Sequence, residues 1–269
     1  MAKRIISGII GMFMLVWVLV FLPPIATAIA IGIIAAVALY ELYNSTGMLD
    51  KTKIPIVIVG YAMGEFIMFG TNKTFLPVLC AGIILMFTFA VFNHKEIKFA
   101  DCAKGFFAAL YVFALMMHIT LTRMLDGGIL LTFGIFIGSF ITDTGAYFVG
   151  SLFGKNKLNP EISPKKTVEG ALGGAIAGNI GFVILGIIGM KGFGYYVNWT
   201  NLLIIGTLLA VISQFGDLAA SLIKREIGIK DFGNIMPGHG GIMDRFDSVL
   251  FVAPVFYYMN MLLPIFVIK

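Results

Sequence analysis

The chain has 269 residues, of which 59% are apolar and 12% charged, and its mean hydropathy is +0.98. Soluble domains run about 45–50% apolar and about 25% charged, and a chain this long still exposes roughly a quarter of its unfolded surface, so the excess apolar surface must face lipid. A soluble enzyme, a disordered chain and a disulfide scaffold are thereby excluded, and 19 basic against 14 acidic residues, a net +5, are too few charges for a nucleic-acid-binding face.

A membrane helix needs about 20 mainly apolar residues, because each adds 1.5 Å against roughly 30 Å of hydrocarbon. Nine such runs lie near residues 5–22, 24–43, 54–70, 75–92, 103–122, 127–150, 170–190, 200–222 and 247–267. The expected fold is therefore all-α, a polytopic integral membrane protein of about nine transmembrane helices. The first run follows Lys3 and Arg4 and precedes small residues at Ala26 and Ala28, as in a signal peptide. It is longer than the apolar core of a signal, about 7–15 residues, and continues into a second run, so it reads as a retained helix. Residues 1–125 hold about five spans, and residues 126–269 hold the rest with two longer polar loops near 151–169 and 223–246.

Basic residues mark the cytoplasmic face. With the N-terminus inside, fifteen of them (residues 3, 4, 51, 53, 95, 98, 104, 155, 157, 165, 166, 224, 225, 230 and 245) are cytoplasmic, against Lys73, Arg123, Lys191 and Lys269 outside. Both long loops then face the cytoplasm.

Ionisable groups within spans cost about 2.5–3.5 kcal/mol each on insertion scales and so need a reason. Asp143 lies in the sixth span, Asp217 in the eighth, and Asp247 opens the ninth. On this topology all three converge in the cytoplasmic half. Ser213, Asp217, Ser221 and Lys224 follow i, i+4, i+8, i+11 and form one helical stripe that must face protein or a wet cavity. The stripe alone also fits a plain polar seam between helices. Gly170, Gly174 and Gly178 recur every fourth residue of the seventh span and predict close helix packing.

The second loop carries Lys224, Arg225 and Lys230, then a glycine-rich turn with His239, Gly240 and Gly241, then Asp244, Arg245 and Asp247. Carboxylate oxygens suit a hard divalent cation whose shell substrate phosphates complete. Cations and glycine amides answer the remaining phosphate charge. The composition therefore suits a metal-bridged polyphosphate. The first loop adds Lys165 and Lys166, which topology signalling alone would explain; the companion loop makes them phosphate candidates.

The stretch 221–247 resembles the signature of the phosphatidate cytidylyltransferases, or CDP-diglyceride synthetases: S-x-x-K-R-x4-K-D, a spacer, then P-x-H-G-G-x-x-D-R-x-D. Ser221, Lys224, Arg225, Lys230, Asp231, Pro237, His239, Gly240, Gly241, Asp244, Arg245 and Asp247 fill every fixed position. Asp143-Thr-Gly-Ala-Tyr147, Ser163-Pro-Lys-Lys166 and Phe215-Gly-Asp217 are also similar, so the resemblance covers roughly residues 139–250. It implies transfer of the cytidylyl group of CTP to phosphatidate with pyrophosphate leaving, and the basic-residue count puts such an active site at the cytoplasmic face of the cell membrane. It also implies a homodimer, a requirement for Mg²⁺, and a paired-metal site with a second cation built from the signature acids. On that reading Asp217, Asp244 and Asp247 are metal ligands, with Asp143 behind them. Lys224 and Arg245 act in catalysis, and Lys165, Lys166, Ser221, Arg225, Lys230, His239, Gly240 and Gly241 bind the two phosphate-bearing substrates. A transporter or channel using the intramembrane acids, and a CTP-dependent lipid kinase, are the alternatives. A transporter predicts polar residues across the full membrane thickness, whereas Gly128–Phe136 and Leu202–Val211 are almost wholly apolar.

Overall fold

A computed structural model describes residues 2–267 except Pro237 and His239, and side chains throughout these except residues 2–7 and Asn72. The helices are α1 (Ala2–Phe21), α2 (Pro24–Ser45), α3 (Ile54–Phe69), α4 (Asn72–Phe92), α5 (Phe99–Arg123), α6 (Gly128–Phe153), α7 (Val168–Phe193), α8 (Trp199–Ile227) and α9 (Met243–Leu262). Each of the nine expected spans thus contains a helix, although the ninth, expected over 247–267, leaves the helix after Leu262. Among the described residues seven, α2 to α8, are long and apolar enough to cross a membrane. The stretch Gly8–Phe21 of α1 is apolar but shorter, and α9 carries Asp244, Arg245 and Asp247 in its first turns.

The helix ends follow from local chemistry. Pro24 opens α2, where its fixed φ suits the first turn and its missing N–H costs nothing. Thr167 caps α7 by accepting the Gly170 N–H at 3.1 Å, and Gly194, at φ +70°, ends it in the left-handed region. Lys224 and Arg225 sit in the last turn of α8, where cations meet the negative end of the helix dipole. Helices accordingly take up part of both polar stretches expected near 151–169 and 223–246. What remains outside helix is 154–167 and 228–242. The first contains an antiparallel hairpin, β1 (Lys157–Asn159) and β2 (Ser163–Thr167), paired Lys157↔Thr167 and Asn159↔Ser163. A second small pair joins β3 (Tyr196–Val197) to β4 (Phe266–Val267).

The chain packs as two compact units, Met1–Met117 with Ile227–Arg245, and His118–Glu226 with Phe246–Lys269. In the first, close helix approach depends on glycine: a Cβ at Gly64 would overlap the Phe113 ring and one at Gly60 the Tyr43 hydroxyl. That hydroxyl donates to the Gly105 carbonyl at 2.8 Å, tying α2 to α5, while Lys53 pairs with Asp101 at 3.0 Å. In the second unit α6 and α7 lie backbone to backbone. A Cβ at Gly174 would sit 2.7 Å from the Thr142 carbonyl oxygen, and one at Gly170 would sit 2.7 Å from that of Ala146. The four-residue glycine spacing is therefore a packing face, as expected.

Candidate active site

The polar stripe of α8 faces protein. From its N-terminal side, Ser213 donates to Asp143 Oδ1 at 3.1 Å, bridging α8 to α6. One turn on, Asp217 Oδ2 accepts the Lys166 ammonium at 2.6 Å, and Ser221 reaches Asp217 Oδ1 at 3.4 Å. Lys224, two turns beyond Asp217, is buried and lies within electrostatic reach of Asp247. Lys166 is delivered by β2. Strand alternation turns Lys165 out to solvent while Lys166 is half-buried and also donates to the Gln214 carbonyl at 3.4 Å.

Asp143 is braced on both oxygens. Ser248 of α9 donates to Oδ2 at 2.9 Å, and Ser139 stands 2.6 Å from the Ser248 hydroxyl. Since Ser248 gives its proton to Asp143, Ser139 is the donor in that second bond. Ser139 lies in a π-type turn, Ile137–Ile141, within α6, which places an extra residue in the helix just before Asp143. Asp247 is buried on α9; its Oδ1 accepts the Ser248 N–H at 2.8 Å, and Asp217, Lys224 and Asp143 all act on its charge. Gly216 makes room for it, because a Cβ there would lie 2.9 Å from the Asp247 carbonyl oxygen. Within this unit three carboxylates thus share Lys166 and Lys224.

The donor set is one of hard oxygens, three carboxylates with serine hydroxyls between them, which suits a hard cation. Among the described residues no group of three His, Cys, Asp or Glu side chains is gathered to hold a metal ion unaided. Mg²⁺ commonly takes one or two carboxylates and completes its shell with substrate phosphates and water, so the residues fit that ion in company with a polyphosphate.

In the other unit Asp244, in the first turn of α9, serves the loop that precedes it. Its Oδ2 accepts the Phe232 N–H at 2.8 Å and the Gly241 N–H at 3.0 Å. Gly240 is at φ +85°, a backbone region open mainly to glycine, and its carbonyl accepts the Met236 N–H at 2.9 Å. Lys230 and Arg245 are exposed, and Arg225 reaches the Ile162 carbonyl of the hairpin turn at 3.4 Å. His239 lies outside the described residues.

A sequence model described as "Cytidylyltransferase family" matches residues 2–263. The chain belongs to that family. It is 33% identical to a phosphatidate cytidylyltransferase of Bacillus subtilis over 267 residues, 96% of this chain and 97% of the relative. A protein of the same name from Staphylococcus aureus is 34% identical over 268 residues, 95% and 97% of the two chains. One from Staphylococcus saprophyticus is 36% identical over 231 residues, 83% and 85%.

Sequence reasoning missed Ser139 and Ser248, whose hydroxyls orient Asp143, and it missed Glu41 of α2, buried against the 232–243 segment. Glu41 had a readable signal, a carboxylate inside an apolar span. The serines had none, because single hydroxyls are common in membrane helices.

Proposed function

We infer that this membrane protein transfers the cytidylyl group of CTP to phosphatidate, giving CDP-diacylglycerol and pyrophosphate. Full-length membership of the cytidylyltransferase family carries this reading, and the lysine–carboxylate cluster of α6, α8, α9 and β2 supports it chemically. A phosphate oxygen of phosphatidate, already anionic near neutral pH, attacks the α-phosphorus of CTP. The new P–O bond forms as the bond from the α-phosphorus to the bridging oxygen breaks and pyrophosphate departs. No strong general base is needed, so the work is to hold two polyanions in line and offset their repulsion.

Asp217, Asp244 and Asp247 would hold Mg²⁺, with a second cation beside it. The bound metal would neutralise phosphate charge and stabilise the attacking and leaving oxygens. Asp143, fixed by Ser213 and Ser248, orients the neighbouring groups. Lys166 and Lys224 bind phosphate oxygens, and Lys165, Arg225, Lys230 and Arg245 supply further positive charge. Ser221 steadies Asp217, while His239, Gly240 and Gly241 shape the turn that leads into α9. The catalytic residues then belong to 126–269, with the spans of 1–125 as their membrane setting.

The fifteen-to-four bias of basic residues supports a cytoplasmic N-terminus and an active site towards the cytoplasm, where CTP is available. Phosphatidate then enters sideways from the inner leaflet. Family resemblance adds a homodimer, which light scattering in detergent tests directly.

The deciding experiment uses purified protein in micelles with phosphatidate, Mg²⁺ and CTP labelled separately in cytosine and at the γ-phosphate. Cytosine label in the lipid with γ-label released as pyrophosphate is the expected result. Transfer of γ-label alone means a lipid kinase, and transfer of neither from folded protein returns the transporter reading.

A further inference from the structure

Glu41 stands near the C-terminal end of α2, inside an otherwise apolar span, and only 3% of its surface is exposed. Its Oε2 accepts the backbone N–H of Met243, the first residue of α9, at 2.9 Å. Gly233 and Gly241, at the two ends of the glycine-rich segment, approach the same carboxylate so closely that a Cβ on either would overlap it. Neither glycine has a positive φ, so close approach to Glu41, rather than backbone conformation, explains glycine at both positions. Asp244 grips the same segment through the Phe232 and Gly241 amides and bears electrostatically on Glu41. Two buried carboxylates therefore hold residues 232–243 from opposite ends of the chain.

This arrangement is expensive for the fold. Glu41 Oε1 is buried with no hydrogen-bond partner among the described residues, and an unsatisfied buried oxygen destabilises a fold, the more so when charged. An ionisable group kept inside a membrane span is by default a functional one.

We propose that Glu41 is a positioning residue for cytidylyl transfer: its carboxylate sets the glycine-rich segment and the start of α9, so that Asp244 and Arg245 are presented in one place. It acts through the segment, not on substrate. This rests on the function given above, and the experiment separates the two.

The parent protein and E41A, E41Q, G241A and E41A/G241A, purified in detergent, are compared for kcat, KM for CTP and unfolding temperature. E41A is expected to lower kcat about 100-fold, the size of effect a roughly 1 Å misplacement produces, with KM for CTP within about threefold. E41Q, which still accepts the Met243 N–H, recovers kcat to within about fivefold of the parent. G241A lowers kcat by pushing the carboxylate aside, and adding E41A to it costs little further, because the overlap has gone. Parental kcat in E41A, an E41Q as impaired as E41A, or losses in the double variant that simply multiply would each overturn the proposal. Should E41A not fold, G241A decides: a lowered kcat at parental unfolding temperature supports positioning, and parental kcat overturns it. A parent that transfers no cytosine label refutes the function and this inference with it, whereas an active parent with an unimpaired E41A refutes the inference alone.

Discussion

Replacing Lys166 by methionine separates the stability of the cluster from its chemistry. Its ammonium lies 2.6 Å from Asp217 Oδ2, with the two side chains 21% and 30% exposed. Such partly wetted pairs are screened and contribute about 1 kcal/mol or less to stability, and methionine keeps the apolar stem. For a chain of this size that corresponds to a fall in unfolding temperature of about 2–4 °C at most. The effect on transfer should be far larger. A charged donor aimed at phosphate charge that develops in the transition state is worth roughly 3–4 kcal/mol, or about 10²–10³-fold in kcat. Steady-state transfer of cytosine label into lipid, with unfolding followed in the same detergent, measures both. Lys166→Arg should recover most of the rate, because charge and donors remain. A Lys166→Met variant that loses less than about tenfold in kcat, or one whose loss merely tracks a lowered unfolding temperature, would refute the assignment of Lys166 to a phosphate.

Asp244→Asn is expected to abolish turnover. Its 228–242 segment should also become more open to proteolysis, because an amide replaces a carboxylate that accepts two backbone N–H groups. Limited digestion beside the activity assay checks both halves. Chelation by EDTA should stop transfer and added Mg²⁺ restore it, with the unfolding temperature rising when Mg²⁺ and a non-hydrolysable CTP analogue are present together; activity unaffected by EDTA would remove the metal from the mechanism. Gly174→Leu should destabilise the α6–α7 pair by about 1–3 kcal/mol through overpacking, visible as a lowered unfolding temperature, whereas the same change at Gly192, which faces open space, should be nearly silent.

The parts of the site that repeat with the helix were legible from residues alone. Ser213, Asp217, Ser221 and Lys224 share a face because 3.6 residues make a turn, whatever they pack against. Gly170, Gly174 and Gly178 were readable on the same ground. The edges of the polar stretches were not, because Arg225 looks like a loop cation in sequence, yet ends a helix whose dipole welcomes it. The β1–β2 hairpin escaped notice because its strands are three and five residues long, too short for alternation to stand out. Asp244 could be read as an acid at the start of a helix, but not as the acceptor of two amides from the segment before it. That pairing depends on a turn set by Gly240, which only the folded backbone displays.

On the proposed function, an entering anion would have to compete for a lysine that is already paired, Lys166 with Asp217. An anion that takes the lysine must break a contact already made and leave Asp217 to another partner. A singly charged ion such as chloride exchanges one unit of charge for one and gains nothing by the trade. A phosphate ester with two charges and several acceptor oxygens can hold Lys166 and a second cation at once, and so comes out ahead.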